Sequence, residues 1–235
     1  MRFKYIRIIS LLLAVLILFT GCNAIFDTSG DKGQFTIRAF KLDAKDKSGD
    51  SLLLKSPDGK TMLIDAGLPE CSSQLVGYLK KLNIGKLDYV VATHRHVDHI
   101  GGMPTVLDTF KADTVYTTDM PYNTEINKKF NEAITRNGCK NVYLKRGDTF
   151  DFGSDIKVEV LNPEPDIVIP KNFVPEDNAY FLNDRSIVLK MTYGQKTFLF
   201  CGDLYKSREV ELVNLYGDKL NADFLKVPHH GAATS

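Results

Sequence analysis

The chain has no basic excess: 30 lysines and arginines face 29 aspartates and glutamates, a formal net charge of +1. A protein that holds nucleic acid mainly by releasing phosphate counterions carries a large positive surplus, so that mode of binding is excluded. The chain also lacks an apolar run of the roughly 20 residues that a membrane-spanning helix needs. Its longest apolar stretch, residues 8–19, is too short. Cysteines number only four, and no segment repeats at short period. Histidine is sparse too, five in all, and its placement is the most informative feature of the sequence. What remains is ordinary for a globular protein: 235 residues, 43% hydrophobic and 25% charged, enough for one substantial domain or two small ones.

The N-terminus carries Arg2, Lys4 and Arg7, then the apolar stretch 8–19, then Thr20, Gly21 and Cys22. A basic start, a short apolar segment and a small residue before cysteine make an export signal. The ending Leu18-Phe19-Thr20-Gly21-Cys22 resembles the bacterial lipobox, whose cysteine is lipidated and becomes the mature N-terminus. The expectation is therefore a lipoprotein signal peptide over 1–21, a membrane anchor at Cys22, a polar tether over 22–34, and an extracytoplasmic domain over 35–235. Removing residues 1–21 takes three basic residues and no acidic one, leaving 27 against 29, a net charge of −2. Cys71, Cys139 and Cys201 would remain, and an odd number leaves at least one thiol unpaired. Cys201 lies in an apolar strand and reads as a small buried hydrophobe.

Alternation at 35–42 and short apolar runs elsewhere place strands at 35–42, 51–55, 61–64, 87–92, 114–118, 142–144, 156–161, 186–192, 197–201 and 224–227. Pro57-Asp58-Gly59-Lys60 closes one hairpin and Tyr193-Gly194-Gln195-Lys196 another. Helical spacing covers 72–82, 102–110, 123–136 and 207–216. Residues 162–175 hold four prolines and read as a long irregular segment. A coarse symmetry runs through the chain: each half holds a hairpin, a helix, and a strand that ends in histidines. Strand hairpins with interspersed helices imply an α/β sandwich with helices packed outside two sheets.

The first histidine cluster reads Thr93-His94-Arg95-His96-Val97-Asp98-His99-Ile100-Gly101-Gly102, directly after the apolar strand 87–92. The second is His229-His230, after the strand at 224–227. Neutral imidazole and carboxylate are the ligands that borderline divalent metals such as zinc prefer. Four such groups within six residues, released from a strand end into a Gly-Gly turn, describe a metal-binding loop. That spacing points to a metal-dependent hydrolase.

The HxHxDH run, preceded by Leu63-Ile64-Asp65-Ala66-Gly67 and followed by Phe200-Cys201-Gly202-Asp203, resembles the metallo-β-lactamase-fold hydrolases. Together with residues 183–203 and 225–235, it is similar in particular to the soluble hydrolase domain of bacterial competence DNA-uptake channel proteins and their stand-alone relatives. The resemblance spans residues 35–235 and implies the four-layered αββα sandwich. It implies two metal ions, zinc by default with manganese or iron also accepted, held by His94, His96, Asp98, His99, Asp203 and His230. Two metals about 3.5–4 Å apart can share an activated hydroxide, which Asp98 would orient. His229 would meet the substrate or donate a proton, and Asp65 would orient ligands near His94. Asn183 and Arg185 either face the site or are plain surface residues.

The implied substrate is a phosphoester or phosphodiester, in DNA or in a cell-envelope polymer. Surface choline-phosphate esterases share similar motifs, and a non-catalytic metal-binding lipoprotein is the reading from another class. Two departures stand out. Ala232 follows Gly231 where the relatives usually carry serine. The relatives also continue past this point to a glycine-histidine-proline motif that ligates the second metal, whereas the sequence stops at Ser235. The resemblance thus implies a domain truncated at its C-terminus, with one tight metal and one weak one.

Overall fold

The computed structural model describes residues 26–45, 49–174 and 178–235; the expected signal peptide over 1–21 and Cys22 lie outside them. Two sheets stack face to face. The first has six strands in the order β1 (Thr36–Ala39), β2 (Leu52–Lys55), β3 (Thr61–Ile64), β4 (Leu87–Val91), β5 (Ala112–Thr117) and β6 (Lys140–Tyr143). The second runs β11 (Phe224–Lys226), β10 (Lys196–Phe200), β9 (Val188–Tyr193), β8 (Ile156–Asn162) and β7 (Thr149–Phe152). The helices are α1 (Ser72–Lys81), α2 (Val97–Ile100), α3 (Met103–Phe110), α4 (Glu125–Arg136), α5 (Ala179–Asn183) and α6 (Lys206–Tyr216).

Three apolar layers hold these elements together. Leu53, Leu63, Val90 and Val115 turn outward from the first sheet to meet Leu75 and Leu79 of α1, Val106 and Phe110 of α3, and Phe130 and Ala133 of α4. Leu52, Leu54, Met62 and Ile64 turn the other way, onto Phe152, Val158, Leu189 and Phe200 of the second sheet. Beyond that sheet, Leu161, Val188 and Leu199 pack on Leu204 and on Leu212 of α6. A strand covered on both faces must be apolar at successive positions instead of alternating, which is why 52–54 and 62–64 are unbroken runs. The result is the α/β/β/α stack expected from the sequence. In α4, Thr124 caps the N-terminus by accepting a hydrogen bond from Asn127 N. Its buried Phe130, Ala133 and Ile134 fall at the three-and-four spacing of one helix face.

The repeat-like symmetry is real at the level of topology. In the first half β2 and β3 pair antiparallel, and β3 then pairs parallel with β4 across α1. In the second half β9 and β10 pair antiparallel, and β10 pairs parallel with β11 across α6. Parallel neighbours end at the same edge, so the loops after β3, β4, β10 and β11 are delivered together. Those loops carry Asp65, the first histidine cluster, Asp203 and the second histidine cluster. A hydrogen bond from Ile187 N to Thr93 O (2.8 Å) ties the sheets at this edge.

Some elements differ from the sequence reading. Strand β7 was not expected, because its alternation of Thr149, Phe150, Asp151 and Phe152 is only four residues long. It exists because it pairs antiparallel with β8 and buries Phe152 between the sheets. The histidine loop contains one helical turn, α2, which the Gly-Gly sequence after it conceals. Residues 26–34, read as tether, lie against the domain: Phe26 stacks near Tyr78 at 5.8 Å, and buried Asp31 pairs with Arg38 at 2.7 Å. The Asn162–Pro163 bond is cis. Among the described residues no helix is long and apolar enough to cross a membrane.

Cys71, Cys139 and Cys201 are all free thiols. Burial raises the pKa of each and pushes Cys201 up to about 12. Cys71 and Cys201 are buried while Cys139 is partly exposed, and only an accessible thiolate reacts. Brief treatment of the folded protein with an aromatic disulfide reagent should therefore label Cys139 before the other two, as read by peptide mass; earlier labelling of Cys201 would contradict this packing.

Candidate metal centre

The histidines of both clusters, Asp98, Asp203 and Asp65 reach this one edge of the sandwich. His94 and His96 leave β4 with facing ring nitrogens, His94 Nε2 lying 2.9 Å from His96 Nδ1. One turn on, α2 presents Asp98 and His99. His99 Nε2 lies 3.1 Å from Asp203 Oδ2, and His94 Nε2 is 4.0 Å from the same oxygen. From the second cluster His230 turns inward, its Nε2 3.2 Å from Asp203 Oδ2 and 3.7 Å from Asp98 Oδ2. Asp203 thus stands at the centre, with imidazoles on three sides.

Among the described residues, three overlapping sets offer ligand atoms within 4.8 Å of one another: His94, His99 and Asp203; Asp98, His99 and His230; and Asp50, Asp203 and His230. His96 adjoins the first set through His94. His229 points elsewhere. Its ring packs on Tyr205 at 4.7 Å, its Nδ1 meets Thr234 Oγ1, and it lines a cleft of about 270 Å³ with His96, Asp98, Tyr122, Asn183 and Asp203.

Asp65 orients a ligand beside His94: its Oδ2 lies 2.8 Å from His99 Nδ1, and the His99 ring is 4.1 Å from that of His94. It also accepts hydrogen bonds from Thr93 N (2.9 Å) and Thr93 Oγ1 (2.7 Å). Its influence on His94 passes through Thr93, whose Oγ1 is 3.2 Å from His94 Nδ1. A carboxylate on the outer nitrogen of a ligating histidine fixes tautomer and ring orientation. Asn183 lines the cleft beside His96. Arg185 does not reach the site; it pairs with Glu164 at 3.0 Å and lies over the Phe181 ring.

The backbone is strained where it serves the site. Asp65, His229 and His230 all have positive φ, at 58°, 41° and 55°. Side-chain-bearing residues in that region cost on the order of 1–3 kcal/mol each and persist only where the surroundings over-determine them. Asp50, which the sequence reading passed over, also belongs here, with its Oδ1 3.2 Å from His230 Nδ1. The only signal in the sequence is a glycine before it at a strand start.

Whether these groups suit a divalent cation can be judged from their protonation. Burial holds His94 well below its ordinary pKa, and His96 below as well, so both are neutral and ready to ligate. His99 is opposed by burial, yet Asp65 and Asp203 drive it up to about 10. Hydrogen bonds to Asp203, Asp50 and Asp98 drive His230 up to about 12. Burial raises Asp203, but His230 and His99 pull it far below the carboxylate range. Four carboxylates packed together demand positive charge, which raises the proton affinity of His99 and His230 and equally favours a cation. Asp203 Oδ1 is buried without a hydrogen-bond partner. An unsatisfied carboxylate oxygen beside nitrogen donors is the arrangement a borderline divalent ion completes. The residues fit such an ion.

Known proteins resemble parts of this chain. Residues 44–123 match the family model described as the metallo-beta-lactamase superfamily. The ComE operon protein 3 of Bacillus subtilis is 28% identical over 204 residues, covering 80% of this chain and 25% of that protein. The exodeoxyribonuclease WalJ of Streptococcus pneumoniae is 27% identical over 147 residues, covering 61% of this chain and 52% of that protein. The chain therefore spans about a quarter and about half of these relatives' lengths. Among solved structures, the metallo-beta-lactamase fold protein YhfI from Bacillus subtilis superposes with a TM-score of 0.51 at 17% identity, over 80% of this chain and 68% of that one.

Proposed function

We propose that this chain, which has the metallo-β-lactamase fold, is a metal-dependent hydrolase of phosphodiester bonds, with DNA as its substrate class. The observation that carries the reading is the convergence of both histidine clusters with Asp98 on the single carboxylate of Asp203. The phosphodiester assignment draws its support from relatives named as a competence-operon protein and an exodeoxyribonuclease. Zinc is the proposed ion, with manganese or iron compatible with the same nitrogen and oxygen donors. Export and anchoring through lipidated Cys22 belong to the same proposal and rest on residues 1–22 of the sequence.

His94, His96 and Asp203 would hold one cation, and Asp98, His99, His230 and Asp203 a second. Bound there, divalent ions supply a water made acidic near neutral pH and positive charge for the developing phosphorane oxygens. The rest falls to the chain's own groups. Asp65 keeps His99 in one tautomer through Nδ1, so that Nε2 faces Asp203. Asp98, which lines the cleft, orients the attacking water and accepts its proton. His229, braced by Thr234 and Tyr205 at the cleft wall, donates one to the leaving oxygen. Burial of His94, His99 and Asp203 keeps bulk water away from the reacting atoms.

A second reading has an observation of its own. Tyr122 and Tyr205 line the cleft, and aromatic faces also attract quaternary ammonium groups, as a choline-phosphate ester would present. Purified protein loaded with zinc or manganese should hydrolyse bis-(p-nitrophenyl) phosphate, and DNA should compete where choline-phosphate esters do not. Turnover blocked only by the choline ester would favour the second reading. Absence of turnover with cations bound would leave a metal-binding protein without this activity.

A further inference from the structure

We infer that Asp50, clamped by Lys226, is the positioning residue for His230 and sets how tightly the His230 side of the centre holds a cation. The inference rests on the cation reading of the site given above. Asp203 accepts contacts from two histidines, and each of those histidines has a carboxylate on its other nitrogen. Asp65 takes His99 Nδ1 at 2.8 Å; Asp50 takes His230 Nδ1 at 3.2 Å. The order Asp65, His99, Asp203, His230, Asp50 is thus a continuous line of charged hydrogen bonds, with the same kind of partner at both ends.

One short piece of backbone builds both ends. Gly67 N donates to Asp50 O (2.9 Å), and Ser51 Oγ donates to Asp65 O (3.0 Å). The loop after β3 and the start of β2 therefore move as a unit, and the two carboxylates keep their spacing. His230 needs such a brace more than His99 does. His99 is fully buried on a helical turn, whereas His230 lies in a strained loop and its side chain is one-third exposed.

Lys226 explains why Asp50 acts through His230 instead of ligating. Asp50 has the reach to join a cation set with Asp203 and His230. Its Oδ2, however, is taken by Lys226 Nζ at 2.6 Å, and that ammonium also donates to Val227 O at 2.8 Å. Lys226 ends β11, four residues before His230, so the ion pair fastens the histidine loop to the first sheet from both sides. A carboxylate whose charge is already answered by lysine is a poor cation ligand and a good orienting acceptor. Among the described residues Asp65 pairs with no lysine; it is answered by Thr93 and His99.

The test is cation titration of the full chain, using cobalt(II) absorption and competition of zinc against a chromophoric chelator. Asp50→Ala should weaken the weaker of the two bound cations by about 10–100-fold, the usual loss when an outer partner of a ligand is removed. Two equivalents should still bind at saturation with the ligand-field bands of the wild type. Asp50→Asn retains an acceptor for His230 and should recover most of the affinity; Lys226→Met should fall between. In a His230→Ala background, Asp50→Ala should add no further loss, because the two act as one unit. A thermal melt of each variant separates loss of fold from loss of binding, and Lys226→Met probes the same brace without touching the carboxylate. Unchanged affinity in folded Asp50→Ala overturns this proposal alone. Loss of a whole equivalent, unrescued by asparagine, makes Asp50 a ligand and also overturns it. A wild-type chain that takes up no cation overturns the site reading along with it.

Discussion

Asp203→Ala should abolish shared cation binding and lower phosphodiester turnover by about 10²–10³-fold or more, the scale of removing one preorganised electrostatic group from a site. Asp203 is the one carboxylate that touches His99 and His230 and approaches His94. It is 2% exposed, so no water can replace it cheaply. Its position is also fixed independently, since Asp203 N donates to Ser186 Oγ at 3.1 Å. Alanine keeps that backbone bond and removes only the carboxylate. Metal analysis after dialysis should fall from two ions per chain to at most one, alongside the loss of rate on bis-(p-nitrophenyl) phosphate. Two retained ions with a rate within tenfold of wild type would show that Asp203 is not the shared group.

Gly49→Ala should be among the most destabilising single-methyl additions in the chain. Gly49 has φ of +72°, and a Cβ there would sit 1.7 Å from the backbone oxygen of Asp98. Backbone against backbone cannot be relieved by a rotamer change, so the strand start and the α2 turn must part. The unfavourable φ costs about 1 kcal/mol and overpacking about 1–3 kcal/mol more. At roughly 2–4 °C per kcal/mol for a chain of this size, melting should fall by roughly 4–16 °C. Gly59→Ala is the internal control: its φ is +91°, but no atom lies within 4 Å of the new Cβ, so only the conformational part remains. A Gly49→Ala melt indistinguishable from that of Gly59→Ala would mean the contact with Asp98 is not made. Because the clash falls on Asp98, cation affinity should drop in the same variant, which Gly59→Ala leaves alone.

The parts of the site legible in advance share one property: their meaning is local. His94, His96, Asp98 and His99 fall within six residues after a buried strand, and strand ends release side chains at one edge. The fold was legible for a similar reason, since unbroken apolar runs at 52–54 and 62–64 require covering on both faces. Strand β7 escaped because its register is set by β8 and not by its own composition. Arg185 stayed ambiguous because its partner, Glu164, lies 21 positions away, and a charged residue before a strand has no local signature of direction.

Residue chemistry alone determined which groups could bind a cation and roughly where each strand would deliver them. The assignment of roles came from the tertiary structure. It turned His230 inward and His229 to the cleft, chose His99 as the ligand that Asp65 orients, and brought Asp50 to a histidine 180 positions away. Spacing along a chain constrains neighbours within a turn or a strand. The far side of an imidazole is chosen by whichever element packs against it, and that choice belongs to the stacking of the two sheets.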